Sequence, residues 1–389
     1  AILYDEKGNT YIDGIASWYT AMYGHCNDFI LKRVQQQMQQ LDQIVFAGFT
    51  HEPAIKLSEE LIRILPDNQE KIFFSDNGST ANEVGIKMAL QYHFNKGEQR
   101  NTIIAFEDGF HGDTFGAMSA SGLSVYNGPF EDFFIVVQRI PTPNAQNIDH
   151  VINLLHTIID SHKVAAFIYE PLVQGANAMH MYDTTYLDQL LAICKTQNII
   201  TIADEVMTGF GKTGKKFASD YIHTKPDIIS MSKSLTAGFV PMAVTSCTQK
   251  IYDAFLDDSI GKAFFHAHTY SANPIACSVA LAAIELLESD TIQNNIERII
   301  ASHKSFDHKI KNHPKLSTTR QTGVIYALDL NIDMDRYGKK RYAIFDHFMK
   351  QGIFLRPLGN TVYILAPFVI TKQELNKVYD AIEDLLEVV

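Results

Sequence analysis

Ile199-Ile200-Thr201-Ile202-Ala203-Asp204-Glu205 and, soon after it, Pro226-Asp227-Ile228-Ile229-Ser230-Met231-Ser232-Lys233 decide how this chain is read. Each is a short apolar run, the pattern of a strand covered on both faces. Each also ends in charge. A carboxylate or an ammonium is costly to bury unless something compensates it. In open sheets of alternating strands and helices, ligands sit at the carboxyl ends of the strands. Asp204 and Lys233 both occupy such ends.

Outward from these two runs the same alternation continues. Lys71–Phe74, Thr102–Phe106, Phe133–Val137, Val164–Tyr169 and Ala243–Ser246 are further candidate strands, with helical stretches between them. The pattern predicts an α/β fold with a seven-stranded, mostly parallel sheet covered on both faces. After about Glu288 a polar helix leads to strands Val324–Leu330, Ile353–Arg356 and Val362–Leu365. That change predicts a second, smaller α+β domain. Glu6-Lys7-Gly8-Asn9 reads as a hairpin turn, and Ile30, Val34, Met38 and Leu41 as one apolar helix face with the nearby glutamines mostly on its polar side. A helix starting at Pro53 stops before Pro66, and the last helix starts at Thr371 with Glu374 as its capping partner.

With 389 residues the chain has room for a large domain and a small one. A net charge of -11 with no basic block argues against nucleic acid and anionic membranes as partners. Cys26, Cys194, Cys247 and Cys277 lack Cys-x-x-Cys spacing, which predicts free thiols in a reducing compartment. No apolar stretch has membrane-spanning length, and the first residues do not form a signal peptide. These features predict a cytoplasmic protein. The chain opens at Ala1 inside a strand-like run, so an upstream segment is expected to be missing from it.

Lysine forms Schiff bases with carbonyl compounds, and an aspartate can keep a pyridinium nitrogen protonated. Lys233 and Asp204 on adjacent strands would therefore grip two ends of one pyridoxal ring. Asp76-Asn77-Gly78-Ser79-Thr80 opens a helix after a strand, where backbone N–H groups and the helix dipole favour an anion; taken alone, plain capping by Asn77 or Ser79 is the simpler explanation. Phe110, between Gly109 and Gly112, could stack on a flat ring or merely fill a core beside a turn. Trp18 and Tyr19 read as an apolar pocket wall or as ordinary burial. His266 and His268 in Phe265-His266-Ala267-His268-Thr269 have no third ligand at supporting spacing, so no metal is expected. Thr269 suits a phosphate better. Arg356, ending an apolar strand, could pair with a substrate carboxylate or with a structural one, and Tyr363 could add a hydroxyl to the same pocket.

Asp204-Glu205-Val206-Met207-Thr208-Gly209-Phe210-Gly211, then Pro226-Asp227 and Ser232-Lys233, resembles the signature of the class III pyridoxal-phosphate aminotransferases, and the resemblance covers essentially the whole chain. It implies the type I aminotransferase fold and a homodimer with shared active sites. It also implies a domain division into 1–16 (small domain), 17–293 (large, cofactor-binding domain) and 294–389 (small domain). By the same resemblance Lys233 carries pyridoxal 5'-phosphate and Asp204 holds its ring nitrogen. Gly78 and Ser79 bind the phosphate, which Thr269, beside His268, reaches from the partner subunit. Phe110 stacks on the ring; Trp18, Tyr19 and Ala267 line the substrate pocket; Arg356 meets a keto acid's carboxylate, and Tyr363 contacts the amino donor. His111-Gly112-Asp113-Thr114-Phe115-Gly116-Ala117-Met118-Ser119 and Leu355-Arg356-Pro357 are similar to one branch of the family. Its members aminate 8-amino-7-oxononanoate from S-adenosylmethionine in biotin biosynthesis. Phe110, Tyr19, Lys212 and Ala267-His268 depart from the residues usual in that branch, a tyrosine, a tryptophan, an arginine and Gly-Pro.

Overall fold

The computed structural model describes residues 1–388. Seven strands form the central sheet, in the order Lys71–Ser75, Ala243–Cys247, Ile228–Met231, Ile200–Asp204, Val164–Tyr169, Thr102–Phe106, Val137–Ile140. Ala243–Cys247 runs antiparallel to both of its neighbours, and every other pairing is parallel. Val164–Tyr169 and Thr102–Phe106 are buried along their whole length, as their unbroken apolar composition requires. The helix Gly78–Asn95 crosses one face, and the Cβ of any residue replacing Gly85 would lie 3.3 Å from Ile202.

The register sets up the site. Ser230 pairs with Asp204, and Tyr169 with Ala203. Glu170, Asp204 and Lys233 therefore leave the carboxyl ends of three adjacent parallel strands.

Two three-stranded sheets and a two-stranded one, Val173–Gln174 with His180–Met181, complete the fold. Ile2–Tyr4 and Thr10–Asp13 form the hairpin, and Thr10–Asp13 pairs in parallel with Ile353–Phe354. Leu316–Thr322, Ile325–Leu330 and Thr361–Ile364 form an antiparallel sheet. The capping box at Thr371 is present: Glu374 accepts from the Thr371 N–H at 2.7 Å, and the Thr371 hydroxyl accepts from the Glu374 N–H at 3.1 Å. No helix among the described residues is long and apolar enough to cross a membrane.

Two expectations need correction, and one strand was not expected at all. The strand expected at Phe133–Val137 begins only at Val137, because pairing with Thr102–Phe106 selects Val137–Ile140 and leaves Phe133 exposed. Leu316–Thr322 is too polar to signal a strand and is held by its partner Ile325–Leu330. On the helix Asp28–Gln40, Met38 is 59% exposed while Gln37 is buried, its amide donating to the Leu41 carbonyl.

A buried histidine makes the stability of this fold sensitive to acid. His303 lies beside Tyr326 and Tyr379; its Nε2 is 3.2 Å from the Val324 carbonyl and its Nδ1 2.7 Å from the Tyr379 hydroxyl. The carbonyl can only accept, so Nε2 carries the proton and Nδ1 accepts from the tyrosine. Both nitrogens are thus satisfied in the neutral ring. Burial pushes the imidazole down to about 4. An unfolded histidine titrates near ~6.5, so below that pH the unfolded chain binds a proton that the fold refuses. The resulting stability is present above about 6.5 and falls away toward pH 4, on the order of a few kcal/mol in all. Melting temperatures from pH 7 to 4 should therefore fall less steeply for His303→Gln than for the unmodified protein; equal slopes would remove His303 as the cause.

Candidate active site

Lys233 follows Ser232 at the end of its strand and has a left-handed backbone, φ 51°. Its side chain is surrounded by protein yet keeps part of its surface open, as the wall of a cleft does. Burial lowers its pKa, against the opposing charges of Asp204 and Glu170. The ammonium lies 5.0 Å above the Tyr19 ring centroid.

Asp204 is buried and well held. Its Oδ2 accepts from Asn82 Nδ2 and from His111 Nδ1, both at 2.8 Å, while Oδ1 takes the Val206 N–H at 3.1 Å. A carboxylate cannot donate, so His111 carries its proton on Nδ1. Its Nε2 is left buried without a partner. Asn82 also donates to the His111 carbonyl at 2.8 Å, which locks the two together.

Helix Gly78–Asn95 presents its N-terminus beside this group. Asn77 accepts from the Thr80 N–H at 3.0 Å, and the Gly78 and Ser79 N–H groups have no partner within the helix. The glycine at 112 (φ +129°) lies so close to the helix that a Cβ there would come within 2.3 Å of Ser79 Oγ. Ser79 Oγ accepts from the Thr114 N–H at 3.0 Å and lies 2.7 Å from the Thr114 hydroxyl.

Trp18 and Tyr19 owe their positions to backbone strain. Ala16, Ser17, Trp18 and Tyr19 all have positive φ, from 46° to 73°. Each such non-glycine residue costs on the order of 1 kcal/mol. The Ser234 hydroxyl pins this left-handed turn by donating to the Tyr19 carbonyl at 2.9 Å, which ties it to the residue after Lys233. Tyr19 is buried, with its hydroxyl 3.0 Å from that of Tyr363, and burial raises both phenols, Tyr363 to about 12. Trp18 is exposed, and the Arg356 guanidinium lies 4.9 Å above its ring.

These contacts join Lys233, Tyr19, Tyr363, Trp18 and Arg356 in one group, with Asp204 on the neighbouring strand. Phe110 is half-exposed and its N–H donates to Glu170 Oε1 at 2.9 Å. Ala267, His268 and Thr269 are on a largely exposed loop where the Thr269 carbonyl accepts from Gln43 at 2.9 Å. No hydrogen bond, ion pair or ring contact joins them to Lys233 among the described residues.

Sequence reasoning assigned no role to Glu170, Asn82 or Thr114. Glu170 accepts the N–H groups of Phe110 and Gly175, both at 2.9 Å; burial pushes its carboxyl up to about 7, with Asp204 adding to the rise and His111 opposing it. Its signal was present: Val164–Tyr169 is a third apolar run that ends in a charge. Asn82 and Thr114 carried no such signal, because only the packing of helix against loop gives them partners.

The arrangement suits a flat, anionic carbonyl cofactor. A half-buried amine makes no hydrogen bond among the described residues, a fixed carboxylate ends the neighbouring strand, and a helix N-terminus offers N–H groups without helical partners beside them. Lys212, buried nearby, donates among the described residues only to the Gly209 carbonyl at 2.7 Å, and burial lowers it well below an ordinary lysine.

Comparison with known proteins agrees with this geometry. The model of the family Aminotransferase class-III matches residues 1–386. The chain belongs to that family and is an aminotransferase that depends on pyridoxal phosphate. It is 41% identical, over 98% of its length and 91% of the relative's, to the adenosylmethionine-8-amino-7-oxononanoate aminotransferase of Synechococcus elongatus, and 35% identical to that of Geobacter sulfurreducens over 99% and 90%. The crystal structure of the enzyme of the same name from Methanocaldococcus jannaschii superposes with a TM-score of 0.93 at 31% identity, covering 98% of this chain and 91% of that one. A PLP-bound amine transaminase from an uncultivated Pseudomonas species gives 0.92 at 28% identity over 98% and 91%.

Proposed function

We propose that this aminotransferase converts 8-amino-7-oxononanoate to 7,8-diaminononanoate, the biotin-pathway step, with S-adenosylmethionine as amino donor. One observation carries the substrate reading. A buried aromatic wall, Tyr19 against Tyr363, leads from Lys233 to a guanidinium that has no carboxylate partner among the described residues, Arg356 on Trp18. A long apolar chain ending in a carboxylate fits that sequence of surfaces. The names of the Synechococcus and Geobacter relatives support the same reading.

Pyridoxal phosphate, when bound, supplies an electron sink at the carbon that bears the amine. Lys233 would hold it through Nζ, Asp204 at the ring nitrogen, and the Gly78 and Ser79 N–H groups at the phosphate, with Phe110 against the ring face. Burial lowers Lys233 Nζ, so more of it is neutral amine near pH 7 than for an ordinary lysine. That amine would act as the base at the substrate carbon, taking its proton onto Nζ and giving it back at the cofactor. Asp204 keeps its charge aimed at one point because Asn82 and His111 fix it. Arg356 orients the keto acid through its carboxylate, and the Tyr19–Tyr363 pair keeps water from the apolar chain. Thr269, with His268 and Ala267, makes no hydrogen bond, ion pair or ring contact with Lys233 among the described residues. A homodimer in which a second copy brings this loop to the phosphate therefore accompanies the proposal, as does a cytoplasmic location.

Half-reactions of the holoenzyme test it. Loss of cofactor absorbance is expected with S-adenosylmethionine, and recovery on adding 8-amino-7-oxononanoate. Reaction with lysine in place of S-adenosylmethionine would change the donor. Reaction with ornithine or 4-aminobutyrate alone would overturn the biotin-pathway reading.

A further inference from the structure

Three adjacent strands end in charge, and the proposed transamination uses Asp204 and Lys233. Glu170 is the third. Tyr169 pairs with Ala203, so Glu170 stands opposite Asp204 with the two backbones about 4.8 Å apart. It is buried and has no ion-pair partner among the described residues. A second carboxylate beside the first is costly there unless hydrogen bonds compensate it. Two do: Oε1 accepts the Phe110 N–H and Oε2 the Gly175 N–H, each at 2.9 Å.

These donors come from separate segments. Only an ionised carboxylate presents two oxygens that both accept; an amide would turn an NH₂ toward one of the two N–H groups. Gly175 brings its backbone close, since a Cβ there would lie 3.2 Å from Met207 and 3.7 Å from Glu170 Oε2. Glu170 therefore ties the loop after its own strand to the loop that carries Phe110.

That second loop is fixed at each residue from Gly109 to Gly112. The Gly109 carbonyl accepts the Gly122 N–H at 2.7 Å, and the His111 N–H donates to Ser121 Oγ at 2.9 Å. The His111 ring is held on Asp204, and Gly112 packs against Ser79 at the helix N-terminus. The Phe110 N–H has Glu170 as its one partner among the described residues. Consecutive residues of one loop are thus held by carboxylates of two adjacent strands. Phe110 keeps its side chain half-exposed on this fixed backbone. A fixed backbone under an open aromatic face is what stacking on a flat ring requires.

We propose that Glu170 is a positioning residue for the cofactor ring: by holding the Phe110 backbone it sets the spacing between Phe110 at the ring's face and Asp204 at its nitrogen. This rests on the placement of Phe110 given above and is independent of which acceptor is aminated.

The circular dichroism of the cofactor's visible band in the holoenzyme reports how the ring is held. The rate at which pyridoxal phosphate leaves the holoenzyme on ultrafiltration reports how tightly. Glu170→Gln is expected to release the cofactor about tenfold faster and to weaken the visible band. Phe110→Ala removes the stacking ring and should do the same. The double variant should then release it no more than about twofold faster than Phe110→Ala alone, because residues that act through one contact are not additive. Asp188→Asn disturbs another carboxylate that gathers two N–H groups, those of His223 and Thr224, and should leave both readouts unchanged.

The unmodified holoenzyme gives a measurement that needs no change at Glu170. Burial pushes that carboxyl up to about 7; Asp204 and His111 face it, and its charge also acts on Lys233, Tyr19 and Tyr182. Once protonated, one oxygen holds its N–H less well. The visible band should therefore weaken from about pH 8 to 6 in the unmodified enzyme and stay level in Phe110→Ala.

Unchanged readouts in Glu170→Gln, an additive double variant or an equal effect of Asp188→Asn overturns the proposal. If Glu170→Gln does not fold, a visible band level with pH in the unmodified enzyme overturns it instead. The placement and the proposal fail separately. If Phe110→Ala changes neither readout, Phe110 is not at the ring and both fall. If Phe110→Ala changes them and Glu170→Gln does not, the ring contact stands and the role of Glu170 falls.

Discussion

Lys233→Ala is expected to lower turnover by at least about 10⁴-fold, because one side chain supplies both the covalent anchor and the proton transfer. The shape of the protein should survive. Lys233 makes no hydrogen bond or ion pair among the described residues, and its removal relieves a buried charge. Circular dichroism and melting temperature should therefore stay close to those of the unmodified enzyme while the donor half-reaction stops. Turnover within tenfold of normal would remove Lys233 from the chemistry altogether.

The next largest effect is expected for Asp204→Asn. The substitution preserves size and removes the charge directed at the cofactor ring. It also places an amide where Asn82 and His111 both donate to a carboxylate oxygen. With its oxygen toward those two the new NH₂ meets the Val206 N–H instead, and flipped it faces both of them, so at least one buried donor loses its acceptor. A rate loss on the order of 10²–10³ is expected for the donor half-reaction in single turnover, the range found when one preorganised electrostatic contact is deleted. A rate within fivefold of normal would show that the carboxylate's charge is not used. Asn82→Ala and His111→Phe should cost less, since each removes one of the two side-chain bonds that aim Asp204 and leaves its charge in place.

Most of the central sheet was legible along the chain, for a simple reason. Strands buried on both faces must be apolar throughout, and Val164–Tyr169, Thr102–Phe106 and Ile228–Met231 are. The elements misread or missed are those whose environment is not uniform. Phe133 is apolar and exposed, Gln37 is polar and buried, and Leu316–Thr322 is a polar strand held by its partner. Local composition cannot report a neighbour that comes from a distant part of the chain.

The site divides along the same line. A charge at the end of a buried strand is costly, so Asp204 and Lys233 stood out in sequence alone, and Glu170 obeyed the same rule without being assigned a role. Together with the motif around Asp204, they determined the fold class, the cofactor and the reaction type. Only the tertiary structure decided what surrounds them. Helix–loop packing sets Asn82, His111 and Thr114 in place, a left-handed turn faces Tyr19 toward Lys233, and Arg356 comes to lie over Trp18. The physical reason is range. Burial cost is paid residue by residue and so appears in the local sequence, whereas hydrogen-bond geometry and guanidinium stacking depend on segments that meet only when the chain has folded.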